Sequence, residues 1–257
     1  MNWFTTKDLL KREGPFTMAP DYIVLYLVAV VLLVVGLYFL IKHKSEKTTK
    51  IVLIVLWAIA VALDAMKLIK NIATDFNIRA DLPFYVCSIF MYVMPVAIWG
   101  KGIFRKIACA LVCSISLFGV IGNYVVPTVV VNYSLFSFSG FHTTLYHLML
   151  LAAPLVILCT GYYKFSFKDI GWTFLGFVVI TLPVMIFDWI AKVDYMYFLK
   201  GSWLPLVGDL PTKMGFGWVF LLYFGYAVMI MLMQLIVMGI TKLVEVIRSK
   251  SGNKHTA

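Results

Sequence analysis

The 257-residue chain is too apolar for a soluble domain, because 62% of its residues are hydrophobic and 13% are charged, whereas soluble domains carry about 25% charged residues. A net charge of +10 would favour nucleic-acid binding in a soluble protein, but here Lys and Arg lie mainly in short segments between apolar runs, where they set orientation and contact anionic lipid. Composition therefore excludes a soluble enzyme or a nucleic-acid-binding protein and predicts a multi-pass protein of the cell membrane.

Seven apolar runs approach the ~20 residues that a helix needs to cross a bilayer. They predict an all-α fold, a bundle of seven transmembrane helices over residues 22–241, between a polar N-terminal segment (residues 1–21) and a basic cytoplasmic tail (residues 242–257). The N-terminal segment lacks the layout of a cleaved signal peptide, so we expect the first span to be retained. The predicted spans are Tyr22–Ile41, Ile51–Asn71, Leu82–Trp99, Ile103–Tyr124, Phe141–Tyr162, Ile170–Ala191 and Gly215–Thr241.

The distribution of Lys and Arg predicts the orientation. These residues are more numerous in the segments after spans one, three and five and in the C-terminal tail than in the other set of segments. Since cytoplasmic loops carry the excess of positive charge, we expect the N-terminus outside and the C-terminus inside.

Ionisable and polar side chains within the spans are the candidate functional residues, because each ionised group costs ~2.5 to 3.5 kcal/mol on insertion scales. In the predicted topology all of them lie in the extracytoplasmic half of the membrane. They are Asp64, Lys67, Cys87, Asn123, His142, His147 and Asp188.

The third predicted span contains the candidate nucleophile. Asp81 can cap this helix and Pro83 fits its first turn, which places Cys87 five residues below the start. His147 lies six residues into span five, so both side chains are at ~8 to 9 Å depth. A histidine at hydrogen-bond distance activates a thiol, although a cysteine in a helix bundle is also ordinary packing material. Cys109, Cys113 and Cys159 have no base nearby and are predicted to be structural.

The other candidates have supporting roles or structural alternatives. His142 and His147 are about 140° apart around a helix, so we predict no shared metal, and no diffusible cofactor is required. Asp64 or Asp188 can orient a histidine, and Asn123 or Lys67 can stabilise an oxyanion or bind phosphate. Asp64 with Lys67, and Asp188 with Lys192, can instead neutralise each other.

Three stretches, "LPFYVCSIFMYVMPVAI", "GFHTTLYHLMLLAAPLVIL" and "DYMYFLKGSWLPLVGDLP", resemble the bacterial YwaF-like family of integral membrane proteins. They are also distantly similar to the eukaryotic membrane acyltransferase that remodels ether phospholipids. The second resemblance implies that Cys87 carries the acyl chain and that His147 is its histidine. YwaF-like proteins often have "LPLHLC", with a histidine two residues before the cysteine, where this chain has Tyr85.

The leading hypothesis is a cysteine-dependent membrane acyltransferase that acts on phospholipid or lysophospholipid, with His147 as the base for Cys87. The rival hypothesis is a non-enzymatic protein that binds or transports a small solute through the same polar residues. A structural membrane scaffold is a third, weaker interpretation.

Overall fold

The computed structural model describes residues 20–42, 45–125, 137–200 and 207–252, and every regular element within them is a helix. A 3₁₀ turn (Val86–Ser88) precedes α3, and a π turn (Val112–Ser116) joins α4 to α5. The helices are α1 (Pro20–Lys42), α2 (Glu46–Thr74), α3 (Ile89–Trp99), α4 (Gly102–Leu111), α5 (Leu117–Val125), α6 (Phe138–Thr160), α7 (Asp169–Ala191), α8 (Leu210–Met214) and α9 (Gly217–Gly252).

Five helical stretches in the described residues are long and apolar enough to cross a membrane. They lie in α2, in the continuous α4–α5 unit, in α6, in α7 and in α9. Two shorter apolar helices, Leu27–Leu40 and Val86–Trp99, fall within the predicted first and third spans. The helical, multi-pass fold is therefore confirmed, while the count of seven spans and the orientation of the termini stay predictions.

The outward faces of these helices are apolar. Ile69 on α2, Ile190 on α7 and Phe220 on α9 are 67%, 78% and 67% exposed. An aqueous surface rarely carries contiguous apolar patches of this kind, whereas lipid chains cover them without cost. The exposure pattern thus agrees with helices that lie in a bilayer.

The predicted terminal segments lie largely outside the described residues, which begin at 20 and end at 252. At the C-terminal side, α9 continues to Gly252, eleven residues beyond the predicted end of span seven at Thr241. The first part of the predicted basic tail is thus helical.

The start of the third span differs from the prediction. The helix begins at Val86 rather than Leu82, after the extended residue Tyr85. Asp81 does not cap it, because its carboxylate accepts hydrogen bonds from the Asn71 side chain (2.8 Å) and the Asn77 amide (2.6 Å). Since a proline disfavours helical geometry in the residue before it, Pro83 supports this later start. Cys87 consequently lies in the first turn and not one turn below the start.

One end of the bundle is held by charges. Glu46, at the start of α2, pairs with Lys50 (3.2 Å) and with Arg105 of α4 (3.2 Å). The Arg105 guanidinium also lies 4.1 Å from the centre of the Tyr162 ring. We call this the Glu46 end, and the opposite end, where Cys87 lies, the Cys87 end.

Helix α6 has a central position in the bundle and packs against α1, α2, α5 and the π turn. The interior is closely filled by apolar side chains, including Leu53, Phe90, Leu150 and Ile157. Such packing fixes the rotation of α2 and α6, and therefore which of their polar side chains face each other.

The Tyr195 hydroxyl joins two loops at the Cys87 end. It accepts a 3.1 Å hydrogen bond from the Leu82 amide and donates one to the Ile78 carbonyl oxygen. Burial raises the pKa of Tyr195 above its usual value of about 10. The stability that this buried neutral phenol contributes is therefore fully present below pH ~10 and is lost as the pH rises through the folded-state pKa.

Replacing the buried Tyr195 by phenylalanine is expected to lower the free energy of unfolding by about 1 to 3 kcal/mol, because the half-buried Leu82 amide and the Ile78 carbonyl oxygen lose their partner. Thermal unfolding of the detergent-purified protein measures this effect. The matched control is Tyr92→Phe, which removes a 3.0 Å bond from an exposed hydroxyl to the nearby Pro83 carbonyl oxygen. Equal melting temperatures for Tyr195→Phe and the wild type would contradict a stabilising role for this hydroxyl.

Candidate functional site

Five polar side chains from α2, the 3₁₀ turn and α6 form a cluster at the Cys87 end. Helices α2 and α6 pack against each other there, and the 3₁₀ turn approaches them through Tyr146. We call this group the Cys87 cluster, and it consists of Asp64, Lys67, Cys87, His142 and Tyr146.

Cys87 lies against α5 and α6. A methyl group at Gly119 would lie 3.6 Å from the Cys87 Cβ atom, so this glycine lets α5 approach Cys87 closely. The Cys87 carbonyl oxygen accepts a 3.4 Å hydrogen bond from Tyr146. The residue is half-buried, and its thiol interacts electrostatically with Lys67 and Asp64.

His142 faces the carboxylate of Asp64. Its Nε2 atom lies 3.9 Å from Asp64 Oδ1, is buried and makes no hydrogen bond. The ring is 7% exposed and stacks on Tyr146, with 5.8 Å between ring centres. A distance of 3.9 Å exceeds that of a hydrogen bond, so a movement of about 1 Å, or a bound group between the two atoms, would connect them.

His147 is oriented by its own helix. Its Nδ1 atom lies 2.7 Å from the Thr143 carbonyl oxygen, and because a carbonyl only accepts, Nδ1 carries the proton. The Nε2 atom then has the lone pair that a general base needs. Among the described residues, no hydrogen bond joins Cys87 to either histidine, and Tyr146 contacts Cys87 and both imidazole rings. The Cys87–His147 pair therefore stays a prediction.

Asn123 lies one turn after Gly119 on α5, so both residues face the same side of the helix. Its Nδ2 atom is buried and has no hydrogen-bond partner among the residues that the structure describes. The face of α5 that contacts Cys87 thus carries an amide with two unused donor hydrogens.

Asp188 is fully buried and lies outside the Cys87 cluster. Its Oδ2 atom accepts hydrogen bonds from the amides of Tyr195 (3.0 Å) and Met196 (3.5 Å), while Oδ1 has no partner. It therefore holds the segment that carries Tyr195, instead of forming the ion pair with Lys192 considered from the sequence. Asp64 likewise forms no ion pair within 4.0 Å of Lys67 in the described part of the chain, and its nearest basic group is His142.

The sequence interpretation omitted two residues of this region, Tyr146 and Lys70. Tyr146 follows His142 by four positions, and Lys70 follows Lys67 by three, so helical spacing alone places each beside a candidate residue. Lys70 is 8% exposed, and its ammonium group lies 5.1 Å from the centre of the Phe138 ring.

An apolar cleft with a volume of about 190 Å³ lies beside the segment that carries Cys87. It is half-open to the exterior between α3 and α7, where lipid would lie. Ile89, two residues after Cys87, forms part of its wall, with Phe84, Tyr92, Pro183, Val184 and Met196.

Within the described residues, no group of three His, Cys, Asp or Glu side chains is arranged to hold a metal ion.

The chain matches the model of the TMEM164 family over residues 16–238. It belongs to the TMEM164 family. This match covers the Cys87 cluster and, apart from the last residue of the fifth, the candidate membrane spans, so the site lies within the family region of this membrane protein. No curated protein and no solved structure matches the chain. The resemblances to YwaF-like proteins and to a lipid acyltransferase stay predictions.

Crowding the space beside Cys87 is expected to slow modification of its thiol. Gly119→Leu places a branched side chain against Cys87, and we expect about a tenfold slower reaction with N-ethylmaleimide, followed on the Cys87 peptide by mass spectrometry. Gly122→Leu is the matched control, since a methyl there meets nothing within 4 Å.

Gly119→Ala guards against misfolding, because its methyl makes only an ordinary 3.6 Å contact with Cys87. This variant should fold and react at a rate between those of the wild type and Gly119→Leu. Equal rates for the Gly119→Leu and Gly122→Leu proteins would show that Gly119 does not control access to the thiol.

Proposed function

We propose that this TMEM164 family member is a membrane-embedded acyltransferase in which Cys87 carries the acyl chain. The observation that carries the proposal is the position of Cys87, a half-buried thiol beside a cluster of titratable side chains and two residues from Ile89, which lines an apolar cleft. The reaction joins a polar ester to a hydrocarbon chain, so it needs both environments at one nucleophile.

In the first half-reaction His147 takes the proton of the Cys87 thiol. The thiolate attacks the carbonyl carbon of a phospholipid ester, a thioester bond forms, and the ester C–O bond breaks. The imidazolium returns the proton to the leaving oxygen, which produces a lysophospholipid. The acyl chain extends toward the apolar cleft beside Ile89.

In the second half-reaction a lysophospholipid hydroxyl attacks the thioester. His147 takes the hydroxyl proton and passes it to the departing Cys87 sulfur, so that the thiol is regenerated and the overall transfer is balanced.

Asn123 is the proposed donor to the oxyanion of both tetrahedral intermediates, because its Nδ2 group is unpartnered on the helix face that contacts Cys87. His142 and Asp64 form a neighbouring pair, 3.9 Å apart, in which the carboxylate orients the imidazole. Tyr146 is a positioning residue that links this pair to the backbone of Cys87. Asp188 supports the adjoining loop.

The test is transfer of a labelled chain from phospholipid to lysophospholipid by the purified protein in nanodiscs. Cys87→Ser is expected to lower kcat at least about a hundredfold, since a neutral hydroxyl replaces the nucleophile. The matched control is Cys159→Ser, also at a half-buried cysteine but near the far end of α6, and it should retain wild-type activity. His147→Gln should cost about 10² to 10⁴ in kcat.

Full transfer activity in Cys87→Ser would contradict the proposal, because it would exclude this thiol as the acyl carrier. A wild-type protein that binds phospholipid without any transfer would favour the non-enzymatic binding function.

A further inference from the structure

Two lysines on α2 have no carboxylate partner. Lys67 and Lys70 are about one turn apart on the helix, and in the described parts of the chain neither lies within 4.0 Å of an Asp or Glu oxygen. Their ammonium groups instead approach aromatic rings, with 6.0 Å from Lys67 to the centre of Tyr85 and 5.1 Å from Lys70 to the centre of Phe138.

The nearest carboxylates are engaged elsewhere. Both oxygens of Asp81 accept hydrogen bonds from Asn71 and Asn77, and Asp64 faces His142. A cation with little exposure is unfavourable unless an anion or hydrogen-bond acceptors compensate it, and ring faces compensate only part of the cost. Lys70 is 8% exposed, so this end of α2 presents positive charge with no carboxylate of the described residues within 4.0 Å.

The two lysines lie near the end of α2 that is closest to Cys87. Lys70 and Lys67 precede the end of α2 at Thr74 by four and seven residues, which corresponds to ~6 and ~10 Å along the axis. Lys67 interacts electrostatically with Cys87, and Tyr85, the ring beside Lys67, is two residues from Cys87. An anion bound between the lysines would therefore lie near the segment that carries the thiol.

We infer that Lys67 and Lys70 form a phosphate subsite that holds the headgroup of a phospholipid while its ester bond reaches Cys87. Ammonium groups bind phosphate as strong point charges, and the adjoining aromatic rings keep both side chains in place. The inference rests on the proposed function in taking the ligand to be a phospholipid. The group that the lysines recognise is a phosphate, which a lipid headgroup or free inorganic phosphate could supply.

Binding is measured in the Cys87→Ser background, where acyl transfer cannot occur. The melting temperature of the detergent-purified protein is measured as each of three ligands is added. They are dioctanoylphosphatidylcholine, dioctanoylglycerol, which has the same chains without phosphate, and inorganic phosphate. We expect the phosphatidylcholine to stabilise the protein more than the diacylglycerol does. Replacing both lysines by methionine should weaken phosphatidylcholine binding about tenfold or more.

Two further variants separate charge from packing. Lys67→Arg with Lys70→Arg keeps both charges and should retain binding. Lys50→Met removes one charge from the same helix at the Glu46 end and should leave binding unchanged. If inorganic phosphate also binds and needs the two lysines, the subsite is supported, and comparison with the phosphatidylcholine titration identifies the preferred source.

Two results would overturn the inference. In the first, the double-methionine variant binds phosphatidylcholine as tightly as its parent does. In the second, the parent binds dioctanoylglycerol as tightly as phosphatidylcholine. Because these titrations involve no chemistry at Cys87, they fail or succeed independently of acyl transfer. The two proposals can also fail separately. If Cys87→Ser loses acyl transfer but the double-methionine variant binds phosphatidylcholine normally, the subsite is contradicted and the proposed enzyme is not.

Discussion

The Tyr195 hydroxyl makes two hydrogen bonds that connect segments more than 110 residues apart in the chain. It fixes the loop between α2 and α3, and Asp188 in turn fixes the backbone of Tyr195. With Leu82 held in this way, the chain turns at Leu82–Phe84, where the Phe84 amide donates to the Leu82 carbonyl oxygen, and the helix begins only at Val86. Cys87 thus lies in the first helical turn, beside Gly119 and Tyr146. The position of the thiol depends on loop contacts as much as on the helix that follows it.

The pairing of α2 with α6 places the charged groups. It brings Asp64 to His142, while Lys67 and Lys70 turn toward Tyr85 and Phe138. Acidic and basic groups on one helix therefore face different partners, although helical spacing would have let them neutralise one another. An imidazole–carboxylate pair next to a cationic surface suits an ester substrate that carries a phosphate. The apolar cleft lined by Ile89, two residues after Cys87, suits the chain of the same substrate.

Most of the helix positions follow from the sequence, because apolar runs of membrane-spanning length determine them, as the boundaries of α6 and α7 illustrate. The third helix was predicted to begin too early, since Asp81 and Pro83 have the local pattern of a helix start. Contacts from Asn71, Asn77 and Tyr195 outweigh that pattern. Tyr146 was missed because a tyrosine in an apolar run does not signal a polar contact. Whether His142 or His147 faces Cys87 depends on helix rotation, which packing sets and periodicity does not reveal.

The most direct measurement is the location of the acyl chain during the reaction. The wild-type protein is incubated with a phospholipid that carries an alkyne-tagged chain, and its peptides are then analysed by mass spectrometry. An acyl chain carried by Cys87 predicts a hydroxylamine-sensitive adduct on the Cys87 peptide, which is absent from Cys87→Ser and present in Cys159→Ser. Two results would contradict the role of Cys87 as the acyl carrier. One is acyl transfer without any adduct on Cys87, and the other is equal labelling of the wild type and Cys87→Ser.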